Sequence, residues 1–137
     1  MRDKFTPFSE LMKKIAAGEF VYTGELEPHK TTDISETIEW ARTLKATGKI
    51  TAANVTDNPQ STACISSLVA AYIVQRDTDL ETIYQLRTAD RNRLALVSDV
   101  LGAGALGLRN ILALTGDHPM VGDNPEAKPV FDLDGTQ

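Results

Sequence analysis

Apolar positions along the chain follow two alternating rhythms. Leu11, Met12 and Ile15 share one face at helical spacing behind Ser9, so Ser9 to Ala17 reads as a short capped helix that Gly18 ends. Phe20 to Leu26 reads as a strand stopped by Pro28, which has no N–H to give a ladder. Ile34, Ile38, Ala41 and Leu44 form the apolar face of a second helix, begun by Asp33 with Glu36 as its capping-box partner and closed by Gly48. Ala52 to Thr56 is a second strand, followed by the turn signal Asp57-Asn58-Pro59. Ala63 to about Gln75 is apolar enough for a buried helix, and Thr82 to Leu86 is a third strand. Asp90 caps a helix from Arg91 to about Leu106, and Asn110 to Thr115 is a fourth strand. His118 to Gln137 holds three prolines and reads as a long loop.

The order is therefore a helix, then βαβαβαβ. Strand starts recur at roughly 30 residues, the size of one βα unit, which predicts a parallel sheet with right-handed crossovers. Alternation sorts the strand residues into two sets. Phe20, Tyr22, Leu26, Ala53, Val55, Leu112 and Leu114 are mostly large and apolar, as under helices. Thr23, Glu25, Asn54, Thr56, Gln85, Ala113, Thr115 and Asp117 are small or polar. A doubly wound sheet wants apolar residues on both faces; one polar face indicates a barrel interior that opens on a site at the C-terminal strand ends. A full barrel takes ~250 residues. The expected fold is α/β, with parallel βα units forming about half of a (β/α)8 TIM barrel. It is expected as a single partial barrel domain over residues 1–137, of which 118–137 is a long loop.

Composition narrows the function. Nineteen acids against fourteen Lys and Arg give a net charge of −5 over 137 residues. That balance, with no basic cluster, argues against nucleic-acid binding. The longest apolar run, Leu68 to Val74, has seven residues, against the ~20 a membrane span needs. Met1 is followed by Arg2-Asp3-Lys4 and no apolar signal core, so a cytoplasmic location is expected. Cys64 has no internal disulfide partner and reads as a small core residue. One cysteine and two separated histidines indicate no metal site. Gly102-Ala-Gly-Ala-Leu-Gly107 fits a dinucleotide fingerprint as a string, but it ends a helix before a strand instead of following a strand.

The chemistry-bearing segments are Thr23-Gly-Glu-Leu-Glu-Pro28, Asn54-Val-Thr-Asp-Asn-Pro59, Asp90-Arg-Asn-Arg93, Asn110-Ile-Leu-Ala-Leu-Thr-Gly-Asp-His-Pro119, Gly122-Asp-Asn-Pro-Glu-Ala-Lys128 and Val130-Phe-Asp-Leu-Asp134. In order and spacing, from Glu19 onward, they resemble the methylenetetrahydrofolate reductase family, closest to a bacterial and archaeal subgroup. The resemblance implies an FAD-containing (β/α)8 barrel that reduces 5,10-methylenetetrahydrofolate to 5-methyltetrahydrofolate, with NAD(P)H or another electron donor as co-substrate. It also implies that this chain is the N-terminal part of such an enzyme. The rival expectation is a non-catalytic remnant or partner subunit, completed as a homo-oligomer or by another chain, because four strands leave two open sheet edges.

Glu25 matches the family's general acid. Ring opening of the folate needs a proton on the leaving nitrogen, and a carboxylic acid in a crowded, partly apolar setting can supply it. Asp117 matches the family's aspartate beside the flavin's pyrimidine edge and the substrate's pterin; its bland alternative is an Asx turn before Pro119. Thr56 and Gln85 are candidate flavin-binding groups by position, and Lys128 a candidate for the FAD diphosphate. His29 reads as a surface histidine. Two departures stand out: Arg87-Thr88-Ala89 replaces the subgroup's usual Thr-Cys-Arg run, and Thr115 stands where other reductases often carry Arg.

Overall fold

The computed structural model describes residues 6–137. Four parallel strands, β1 (Tyr22–Leu26), β2 (Ile50–Val55), β3 (Glu81–Arg87) and β4 (Asn110–Leu114), lie in sequence order in one sheet. Helices α2 (Ser35–Ala46), α3 (Ser67–Thr78) and α4 (Arg93–Ala105) connect them. Consecutive parallel strands, each joined to its neighbour by a helix, make the α/β architecture of half a (β/α)8 barrel. The core lies between helices and sheet: Leu26, Val55 and Tyr84 from the strands meet Ala41, Ala70, Ala71, Val74, Leu96 and Ala103 from the helices. Gly24 belongs to this face. A methyl group there would stand 2.7 Å from Leu44 Cδ1, so its missing side chain lets α2 approach β1 closely.

Helix α1 (Glu10–Ala16) seals the strand-start end of the sheet. Ser9 caps it through Met12 N–H, as expected, and also donates its hydroxyl to Asn110 Oδ1 at 2.7 Å. The Glu81 carboxylate accepts the Glu10 and Leu11 amides and the Asn110 side-chain amide. These bonds turn Asn110 toward the inner face and set the parity of β4. Gln85 therefore pairs with Leu112, and Leu86 with Ala113. Leu112 and Leu114 thus share the inner face with Gln85, and Ala113 the outer one, which reverses the assignment from the sequence pattern.

Several boundaries shift because polar groups are used differently from the local pattern. β1 begins at Tyr22, and Phe20 lies before it, 82% exposed. Helix α2 begins at Ser35 without a capping box: the Asp33 N–H goes to Thr31 Oγ1, while its carboxylate takes the Ser35 N–H. Helix α3 begins only at Ser67, because the Cys64 N–H donates to Asn58 Oδ1 and the Ile65 N–H to the His29 carbonyl. Cys64 is accordingly a half-buried loop residue and not part of the core. Helix α4 is capped by Asn92 through Ala95 N–H, leaving Asp90 for another role. The segment after β4 contains a single 3-10 turn, Pro119–Val121. Among the described residues no helix is long and apolar enough to cross a membrane.

Candidate functional site

The strand register builds two rows across the inner face. Glu25 pairs with Asn54, and Asn54 with Ile83. One step toward the strand ends, Thr56 extends the ladder through its N–H to the Leu26 carbonyl, and Gln85 pairs with Leu112. Alternation puts Glu25, Thr56 and Gln85 on the same face. Glu25 is exposed rather than crowded. It lines a cavity of about 270 Å³ with Leu26, Glu27, His29, Thr37, Trp40 and Leu44, and that cavity includes none of Thr56, Gln85 or Asp117. Gln85 is half-buried. Thr56 is buried, and its Oγ1 has no hydrogen-bond partner. A buried hydroxyl left unpaired costs about 1–3 kcal/mol, and alternation puts this one on the inner face.

Asp117 reaches the same end of the sheet by a different route. β4 stops at Leu114, and Gly116, at φ +84°, breaks the alternation. The Asp117 carbonyl accepts from Arg87 Nη2 at 2.8 Å and from Ser61 Oγ at 2.9 Å, while the residue itself is exposed. Lys128 is exposed on the following loop. It shares no hydrogen bond or ion pair with the other four among the described residues. His29 is exposed, 3.7 Å from Glu36.

Sequence reasoning missed the densest polar feature at the strand ends. Asp57, directly after Thr56, is buried; it accepts the Arg87 N–H at 3.0 Å and a two-pronged bond from Arg91 at 2.6 and 3.3 Å. Arg91 also meets Asp99 at 3.0 Å and Asp90 at 3.1 Å. Burial works to lower the Arg91 pKa, but the hydrogen bond and charge of Asp57 outweigh it, and the net shift is upward. Arg87 is 2% exposed and donates to the Asn58 carbonyl, Ser61 Oγ and the Asp117 carbonyl. Spacing offered one signal: Asp57 lies just past β2 and Arg87 ends β3, so the Asp57 carboxylate comes within reach of the Arg87 backbone amide.

A second acid, Asp123, ties the long loop down. It accepts from Lys30 Nζ at 2.6 Å and from the Ala63 N–H at 2.9 Å. Those bonds, with the Lys30 bond the stronger influence, hold its carboxyl well below the usual range, at about 2. Among the described residues no group of three or more His, Cys, Asp or Glu side chains is placed to hold a metal ion.

A family model described as methylenetetrahydrofolate reductase matches residues 10–134. No curated protein matches the chain by sequence. The matched span runs from the first turn of α1 through the loop that Asp123 anchors, and includes all four strands with Glu25, Thr56, Gln85 and Asp117. The chain belongs to the methylenetetrahydrofolate reductase family.

Proposed function

We propose that this chain takes part in the FAD-dependent reduction of 5,10-methylenetetrahydrofolate to 5-methyltetrahydrofolate, with NAD(P)H or another donor supplying the electrons. The observation that carries the reading is the common inner face of Glu25, Thr56 and Gln85 at the ends of three consecutive strands, within the family match. A flavin fits the residues present, because the buried, unpartnered Thr56 hydroxyl supplies a donor or acceptor to a ring nitrogen or carbonyl. Gln85 would add a side-chain amide beside it, Asp117 a carboxylate at the edge, and Lys128 a cation for the diphosphate. When bound, the flavin supplies the hydride that reduces the methylene carbon.

The chain's own part is proton management and orientation. Glu25 holds a proton and delivers it to the folate nitrogen whose bond to the methylene carbon breaks. Its exposure on the open face means that the crowding which would tune it has to come from substrate and cofactor lying over it. Asp117 keeps negative charge at the pterin edge and disfavours extra negative charge on the reduced cofactor.

The test is direct. Purified protein should titrate FAD with a shifted visible spectrum, and Glu25→Gln should lose folate reduction by about 100-fold or more while flavin reduction is unchanged. Folate reduction at the normal rate in that variant would remove Glu25 from the mechanism. A second reading, a non-catalytic partner subunit of a reductase complex, is favoured by one observation: Leu112, 45% exposed, is an apolar side chain on the inner face where a second chain would seat. A colourless protein that forms a stable hetero-complex would support that reading over the first.

A further inference from the structure

Arg87 ends β3, and both terminal nitrogens of its guanidinium are engaged, while its buried Nε has no hydrogen-bond partner. One guanidinium nitrogen donates to the Asn58 carbonyl at 2.8 Å; the other donates to Ser61 Oγ at 2.9 Å and to the Asp117 carbonyl at 2.8 Å. Ser61 Oγ in turn donates toward the Asp117 and His118 carbonyls at 2.9 and 3.2 Å. Asp90 stands 3.6 Å from Arg87 Nε and balances its charge. Arg87 is thus bonded at once to the loop after β2 and to the segment after β4.

Both segments need holding. Asn58, Gln60 and Ser61 all have positive φ, at 47°, 52° and 57°. Non-glycine residues in that region are strained and persist only where the surroundings over-determine them. Gly116 lies against the arginine: a methyl group there would fall 2.6 Å from Arg87 Cγ and 2.7 Å from Cδ and Nε. A guanidinium presents its donors in a rigid fork, whereas an ammonium is a single point charge, so Lys would not reproduce this bridge.

We propose that Arg87 is a positioning residue: it fixes the backbone from which the Asp117 carboxylate projects, couples that segment to the strained 58–61 loop, and makes no contact with the ligand itself. The proposal rests on the reading of Asp117 as a ligand-facing acid. It assigns the ligand contact of β3 to Gln85 and removes Arg87 from the set of available cations, because its guanidinium is already committed to the two loops.

The experiment uses the full chain labelled with ¹⁵N, in Arg87→Met, Arg87→Lys and the milder Ser61→Ala. The amide signals of Asn58, Gln60 and Ser61 should shift or broaden together with those of Gly116, Asp117 and His118 in all three variants, while β1 amides stay in place. Ser61→Ala keeps the question answerable if Arg87→Met does not fold. Flavin affinity should fall about tenfold in Arg87→Met. Adding Asp117→Asn to that variant should cost nothing more, since one residue acts through the other. Independent movement of the two loops, or additive losses of affinity, would overturn the proposal. A protein that binds no FAD would defeat the functional reading instead, and the amide signals alone would then decide whether Arg87 couples the loops.

Discussion

Two single buried polar atoms lie on opposite faces of the sheet. Thr56 Oγ1 and Tyr84 Oη are both buried and unpartnered, but Tyr84 lies on the helix-covered face and Thr56 on the inner one. Burial pushes the Tyr84 phenol well above its ordinary value, so it stays a neutral hydroxyl. Tyr84→Phe and Thr56→Val should each leave stability unchanged or raise it by about 1 kcal/mol in denaturant unfolding, because an unpaired hydroxyl is removed. Only Thr56→Val should weaken flavin binding in a spectral titration. Asp57 behaves in the opposite way. Asp57→Ala leaves the Arg87 amide without its acceptor, while Asp90 and Asp99 still face Arg91, and should cost about 1–3 kcal/mol in the same unfolding measurement. The place of Glu25 on the inner face was legible in the sequence, because strand alternation fixes it. The Asp57–Arg91 pair was not, since thirty-four positions separate its members and each has a sufficient local explanation, a turn for one and a helix start for the other.

Among the elements, β1 and β3 carry the candidate residues Glu25 and Gln85, and the turns after β2 and β4 carry Thr56 and Asp117. The sheet order followed from periodicity, because four apolar runs spaced by helical patterns leave little else for a chain to do. The parity of β4 did not follow, because a contact with Ser9 and Glu81 decides it and the strand's own residues do not. The 58–61 and 118–124 segments are pressed together: a methyl group on Gly122 would fall 1.9 Å from the Ser61 carbonyl oxygen. Gly122→Ala should therefore force the loops apart at a cost of about 1–3 kcal/mol, read as a lower thermal midpoint with faster amide exchange in both segments. Asp123 adds a pH dependence with a definite sign. Its folded pKa lies below the unfolded one, so its contribution is fully present above about pH 4 and is lost as pH falls through about 2. The thermal midpoints of wild type and Asp123→Asn should differ at neutral pH and converge near the low end of that window.

At the scale of the molecule, apolar surface concentrates beside β4. Leu94, Val97 and Leu101 form an exposed stripe on α4, Ile111 is exposed on the helix side of β4, and Leu112 on the opposite, inner face. Patches of this kind drive association, so sedimentation of the chain at rising concentration should show self-association that Leu94→Lys with Leu101→Lys reduces. The sequence could not reveal this surface, because the same heptad-like spacing serves a covered helix equally well. The opposite end of the sheet is finished differently. Glu81 draws three N–H donors from α1 and Asn110, and Ser9 ties the same knot from the other side. Trimming the chain to begin at Lys13 would strip that carboxylate of two donors and leave the floor of the sheet open to solvent. An affinity tag joined ahead of Thr6 keeps every one of those bonds, so the N-terminus can be extended for purification but not shortened into α1.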